Sequence, residues 1–177
     1  MKQFITLLCI MLLLPSCEHK SGRRNVEKAT TNNPLFDKNL CDYSVKVIRI
    51  IDGDTFWGLT DDKKEIKYRI YAIDAPEKGQ AFGQKSKQHL SDLIFGKTVG
   101  IKIQKKSDQY GRPVVWVYTP EGKDVSKEML RAGMAWHYKA FDSTPEYANS
   151  ENEARNAQLG LWADKNAISP WDFKRKK

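Results

Sequence analysis

Asp52, Asp54, Asp74 and Glu77 form an acidic cluster in the chain, and two arginines, Arg69 and Arg112, accompany it. The acids fall at strand ends or in turns, not along a helix face where charges are simply solvated. Clustered carboxylates offer hard oxygen donors to a cation and can take a proton from water, while guanidinium forks bind the oxygens of a phosphate in pairs. Each piece has a plainer explanation. Asp-Gly-Asp is a common hairpin turn, and an arginine such as Arg69 inside a strand usually points outward. Asp74-Ala75-Pro76-Glu77 can be a strand exit ended by Pro76, and Tyr110-Gly111-Arg112-Pro113 one more turn. Together, however, IDGDT, then R-x-x-x-x-D-A-P-E, then D-x-Y-G-R, in this order on a strand-rich basic chain, are hard to obtain by accident.

Strands must position these residues. YSVKVIRIID, TFWGL, EIKYRIYAID, TVGIKIQ and PVVWVYT, between Tyr43 and Tyr118, are strand-like. Ile66, Tyr68, Ile70 and Ala72 alternate with Lys67, Arg69 and Tyr71, and Val99, Ile101 and Ile103 alternate with Gly100 and Lys102, the period of half-buried strands. Turn residues at Asp52-Gly53, Thr60 to Lys64, Tyr110-Gly111 and Glu121-Gly122 space the strands for hairpins, so a small antiparallel barrel or sandwich is expected. Helices follow. Phe82, Ser86, Leu90, Leu93 and Ile94 share a face that stops near Gly96. Asp124 can cap VSKEMLRAG. Thr144-Pro145 can start a helix whose Tyr147, Glu151, Ala154, Ala157 and Leu161 pack on one side up to Gly160. The predicted fold class is α+β, mainly β: an OB-type five-stranded antiparallel β-barrel with about three α-helices. That architecture hosts binding and catalysis alike.

Ile51 to Thr55, Arg69 to Glu77 and Asp108 to Arg112 resemble the three signature segments of the staphylococcal nuclease (thermonuclease) family, and Gly160-Leu161-Trp162 resembles its closing motif. The likeness covers roughly Tyr43 to Asp164. It implies calcium-dependent hydrolysis of phosphodiester bonds in DNA and RNA, with low sequence specificity and 3′-phosphate ends. By matching position it implies Asp54 and Asp74 as Ca2+ carboxylates and the Ala75 carbonyl as a further ligand. The best-known member has Thr at that place, a change a main-chain ligand tolerates. Asp52 becomes a supporting carboxylate at the rim. Glu77 matches the general base proposed for the family, and Arg69 and Arg112 match the arginines that hold the phosphate. Tyr110 matches a tyrosine that bonds a terminal phosphate. Gln109 stands where the type member has lysine, so weaker end-phosphate binding is expected. The loop KGQAFGQKS is shorter than its counterpart. Trp136, His137 and Tyr138 are candidates for stacking on bases, with packing in the core as the competing reading.

The chain has 177 residues, 40% of them apolar and 11% aromatic, which excludes a disordered chain and an integral membrane protein and allows one domain with a core. Lys plus Arg number 30 against 22 Asp plus Glu, a net charge of +8 that favours polyanionic partners. Residues 1–16 read as an export signal: Lys2, an apolar run of 11 residues from Phe4 to Leu14, then Ser16 before Cys17. A membrane span needs about 20 apolar residues. Leu14-Pro15-Ser16-Cys17 resembles a bacterial lipobox, departing from it at Pro15, with lipidation expected at Cys17. Residues 17–42 read as a flexible tether, 43–165 as the nuclease-like domain and 166–177 as a basic C-terminal tail, whose last four residues, Lys174 to Lys177, could touch phosphates or anionic headgroups, a solvated terminus being the favoured reading. Cys9 leaves with the signal and Cys17 is acylated, so no intramolecular disulfide with Cys41 is expected. His19, His89 and His137 are too scattered for a zinc site.

The expectation is a monomeric, exported, metal-dependent nuclease of the cell envelope, membrane-anchored through lipid, with a periplasmic or secreted protein as the alternative localisation. The rival function is a non-catalytic OB-fold nucleic-acid-binding module at the envelope, which predicts salt-sensitive binding without cleavage. A structural lipoprotein at the membrane surface leaves the acidic cluster without a purpose.

Overall fold

The structure, a computed structural model, describes residues 40–176. The export signal, Cys17, His19 and the tether up to residue 39 lie outside the described residues, as does Lys177. Five strands close a barrel in the order β1 (Tyr43–Ile50), β2 (Thr55–Leu59), β3 (Glu65–Ile70), β6 (Val114–Tyr118), β5 (Thr98–Lys105). The remaining elements are β4 (Ile73–Asp74), α1 (Gly83–Ile94), α2 (Val125–Arg131), β7 (Trp136–His137), α3 (Pro145–Asn156), a 3₁₀ turn (Gly160–Ala163) and α4 (Pro170–Arg175).

The OB-type barrel expected from the alternating segments is present, but it is not antiparallel throughout. β3 and β6 run parallel through Arg69↔Val114 and Ile70↔Val115. Parity explains this. Strand direction cannot alternate all the way round a closed ring with an odd number of strands, so one pair must be parallel. Alternation buries Val45, Val47, Phe56, Tyr68, Ile70, Val99, Ile101, Val115 and Val117, and α1 and α2 add Leu90, Ile94, Met129 and Leu130 to the same core. Phe56 and Tyr68 stack inside it with ring centroids 5.3 Å apart.

The segment read as one long strand, EIKYRIYAID, breaks in two. Ala72 adopts φ 66°, and its carbonyl accepts a hydrogen bond from the Tyr138 amide. The chain thereby leaves the barrel and pairs as β4 with β7, through Ile73↔His137 and Asp74↔Trp136. That break sets Asp74 beside the barrel mouth.

Asp124 caps α2 as expected, its carboxylate accepting from the Ser126 and Lys127 amides. Thr144 occupies the N-cap of α3, yet its hydroxyl bonds Asp142 Oδ1 at 2.7 Å and does not cap the helix amides. α3 ends at Asn156, short of Gly160, and Ala157 is exposed, not packed as its spacing suggests. The helix stops because the chain must cross Gly133: a Cβ on Gly160 would lie 2.3 Å from the Gly133 carbonyl, a contact only glycine permits.

A fourth helix, α4, forms in the basic tail where none was expected, with Pro170 in its first turn and the Ser169 hydroxyl accepting from the Asp172 amide; Lys174, Arg175 and Lys176 are exposed.

Candidate active site

The β1–β2 turn carries the first acids. Asp52 Oδ1 accepts from the Asp54 amide at 3.1 Å, and Asp54 Oδ1 accepts from the Thr55 hydroxyl at 2.9 Å. Both bonds aim the buried Asp54 inward. Gly53 sits against α1 and the β4 exit: a Cβ there would come within 1.9 Å of Ser86 Oγ and 2.7 Å of Ala75 Cβ. The Asp-Gly-Asp turn is therefore packed into the molecule.

Arg69, opposite Thr55 in the β2–β3 register, gathers the acids. Its Nη1 lies 3.0 Å from Asp54 Oδ2 and its Nη2 2.9 Å from Asp74 Oδ1. The Ala75 amide donates to Asp54 Oδ2 at 2.8 Å, bringing that peptide against the carboxylate. Negative charge nonetheless exceeds what Arg69 offsets. Burial, reinforced by the charge of Asp54, pushes Asp52 up to about 7 and Asp74 up to about 6.

That surplus and the all-oxygen donor set suit a hard divalent cation, with Asp54, Asp74 and the Ala75 carbonyl as the groups to hold it. Among the described residues no three His, Cys, Asp or Glu side chains gather in a metal-binding arrangement. A cation here would depend on main-chain oxygen and water for the rest of its shell.

Arg112 reaches the same mouth from the loop before β6. Its Nε and Nη2 each lie 2.8 Å from Asp108 Oδ2, and its Nη1 donates to Thr55 Oγ1 at 3.3 Å. Asp108 also accepts from the Tyr110 and Arg112 amides, so one carboxylate shapes the loop and aims the guanidinium. Sequence reasoning quoted Asp108 within D-x-Y-G-R but assigned it no task. Tyr110 is 73% exposed, with Arg112 lying 5.2 Å from its ring centroid, and Gln109 is exposed beside it.

Glu77 follows Asp74 by three residues and is half-buried. Its amide donates to Gln80 Oε1 at 2.9 Å, and Gln80 Nε2 donates to the Ile168 carbonyl at 2.7 Å. Its carboxylate meets Lys174 of α4, with Nζ 2.9 Å from Oε1. The same ammonium stands 3.8 Å from Asp74 Oδ1. Burial lowers the Lys174 pKa, but the bond to Glu77 and the charge of Asp74 outweigh it and hold the group above its ordinary value. Neither Gln80 nor Lys174 was expected at the site. Gln80 left no sequence signal, and Lys174 only a run of charge.

The aromatic candidates lie on β7 and just beyond. Trp136 is half-buried, edge-on to Trp162 and Trp171 at 4.5 and 5.6 Å. His137 is buried with Nε2 2.7 Å from Asp142 Oδ2, which closes it to any base. Tyr138 stacks on Trp171 at 5.6 Å and 13° and lines a groove shared with Lys139, Arg155, Lys174 and Arg175.

Residues 67–164 match the family described as staphylococcal nuclease homologue. The chain belongs to the staphylococcal nuclease family. A Haemophilus influenzae protein named as an uncharacterized endonuclease is 44% identical over 139 residues, 78% of this chain and 75% of its own length. An Escherichia coli O157:H7 protein of the same name is 39% identical over 139 residues, 78% of this chain and 90% of the relative. A Shigella flexneri protein named micrococcal nuclease is 38% identical over 144 residues, 76% of this chain and 82% of its own. The family match holds Arg69, Asp74, Glu77 and Arg112, while Asp52 and Asp54 precede it and α4 follows it.

Proposed function

We propose that the chain is a calcium-dependent nuclease that hydrolyses phosphodiester bonds of DNA and RNA with low sequence specificity, acting as a monomer. The observation that supports this most is the convergence of Asp54 and Asp74 on Arg69, with Arg112 tied into the same mouth through Thr55 and Glu77 at its edge.

Asp54, Asp74 and the Ala75 carbonyl are the groups that would hold Ca2+, with Asp52 supporting the turn they stand on. A divalent cation bound there would offset the charge of the phosphate. Arg69 and Arg112 bind the phosphate oxygens and stabilise the charge that grows on them as water attacks, the largest usual catalytic contribution. Glu77 takes a proton from the attacking water as the water oxygen bonds to phosphorus; the bond to the leaving 5′ sugar oxygen breaks, that oxygen takes a proton from solvent, and a 3′-phosphate remains. Tyr110 and Gln109 border a terminal phosphate, and Tyr138, with Trp136 behind it, faces the bases. Stacking on an aromatic ring tolerates any base, in keeping with low specificity.

Release of acid-soluble nucleotides from single-stranded DNA and RNA, with calcium and then with a chelator, tests the reading. Calcium-dependent release is expected. Tight binding without release from folded protein would make the domain a binding module instead.

Export and acylation at Cys17 complete the proposal and rest on residues 1–17 alone. Among the described residues no helix is long and apolar enough to cross a membrane. Mass spectrometry of the protein from the membrane fraction, expected to find a lipid-modified N-terminal cysteine, decides it; an unmodified Cys17 would make the protein periplasmic or secreted.

A further inference from the structure

We propose that Lys174 is a substrate-phosphate contact of this site and that α4 forms one wall of the channel by which a single nucleic-acid strand reaches Glu77 and Asp74. The inference rests on the nuclease reading above and extends the site to a part of the chain outside the family match.

Three observations carry it. The first is position: Lys174 Nζ stands on both acids, 2.9 Å from Glu77 and 3.8 Å from Asp74, while 52% of its side chain faces solvent. It is a cation at the open mouth and not a buried structural pair. The second is anchoring. Gln80 is buried and joins the Glu77 amide to the Ile168 carbonyl, so one side chain ties the site to the segment entering α4. Trp171 is stacked on Tyr138, a second contact that holds the helix. The third is charge. Lys139, Arg155, Lys174 and Arg175 share one groove; Glu151 pairs with Arg155 at 3.2 Å and Lys139 at 3.6 Å and Asp172 with Arg175, so the cations outnumber these two carboxylates and the groove keeps a net positive charge.

The physical argument follows from what a phosphate meets on entry. Asp52, Asp54, Asp74 and Glu77 repel it, and Arg112 is already paired with Asp108. An ammonium is a compact charge on a flexible stem, able to exchange one oxygen partner for another. Moving from Glu77 to the phosphate, Lys174 offsets that repulsion and frees the Glu77 carboxylate to accept a proton. The groove beyond it offers cations beside aromatic rings, the pairing that holds a single strand irrespective of its sequence.

The full chain, Lys174→Ala, Lys174→Arg and the control Lys64→Ala would be compared, the last removing a charge at the far end of the β2–β3 hairpin. Two readouts are needed: cleavage of a single-stranded DNA oligonucleotide in calcium, and binding of the same labelled oligonucleotide in chelator across a salt series. Equal melting midpoints establish that each variant is folded. Lys174→Ala is expected to raise KM about tenfold and to lower the slope of log affinity against log salt by about 0.7. Lys174→Arg should restore most of both, and Lys64→Ala should leave the slope unchanged. A Lys174→Ala protein indistinguishable from the Lys64→Ala control would overturn the proposal. So would one that cleaves faster than the unaltered chain, which would make Lys174 a plug. If the unaltered chain binds but does not cleave, the nuclease reading falls, and the slope still decides for or against Lys174.

Discussion

Arg112 owes its place at the barrel mouth to Asp108, which grips the guanidinium through Nε and Nη2 while holding the loop amides of Tyr110 and Arg112. A lysine at 112 keeps the charge but loses the fork that fits both Asp108 and a phosphate. Arg112→Lys is therefore expected to lower kcat/KM by about 10²–10³ while the melting midpoint stays near that of the unaltered chain, as steady-state kinetics beside a melting curve will show. Glu77→Gln, at a half-buried position, should lower kcat by about 10²–10⁴ without unfolding the protein; a variant that kept full activity would remove Glu77 from the proton transfer. The acids and arginines were legible through the order and spacing of three segments that resemble a known family; taken singly, turn dipeptides and strand alternation pointed only to hairpin turns and an outward Arg69, which instead turns in to Asp54 and Asp74. Lys174 was not. A run of basic residues looks solvated in one dimension, and contacts between residues far apart in the chain, the Gln80 bridge across 88 positions and Trp171 on Tyr138, bring α4 to Glu77.

At the level of elements, the β1–β2 turn is constrained by what packs on it. Gly53→Ala forces a methyl group into Ser86 and Ala75, so a loss of about 1–3 kcal/mol is expected in urea unfolding. Activity should fall further than stability explains, because the same turn carries Asp52 and Asp54. The link from β7 to α3 depends on Asp142, which accepts from Thr144 Oγ1, the Thr144 amide and His137 Nε2. Burial alone would raise this carboxyl, but the bonds from Thr144 and His137 hold it below its ordinary value. A depressed carboxylate stabilises the fold above about pH 4, and that share is lost as pH falls through the lower folded value. Asp142→Asn should be less stable at neutral pH and lose less on acidification, measured as unfolding midpoints across a pH series. The start of α3 was readable from Thr144-Pro145. Its end was not, since helical spacing runs on through Ala157 and only the crossing of Gly133 and Gly160, far apart in sequence, stops it.

For the whole molecule, the strands were readable from their alternation and the parallel closure was not, because no pattern within β3 or β6 names its partner. Parity alone requires such a pair once the ring is known to close on five strands. The surplus negative charge at its mouth gives a thermodynamic test of the cation: calcium at a hundred times its dissociation constant should stabilise the fold by about 2.7 kcal/mol, seen as a raised melting midpoint. Asp54→Asn should remove most of that rise. Closure has a further consequence. An open sheet presents unpaired amides and carbonyls that can template strand addition by another molecule, a hazard that grows when many copies crowd onto one long polymer. Here each barrel strand is paired on both sides, and the edges left among the described residues belong to β4 and β7, two residues each. A basic protein concentrated along nucleic acid by its own charge would thus offer its neighbours, among the described residues, almost no strand edge to pair with.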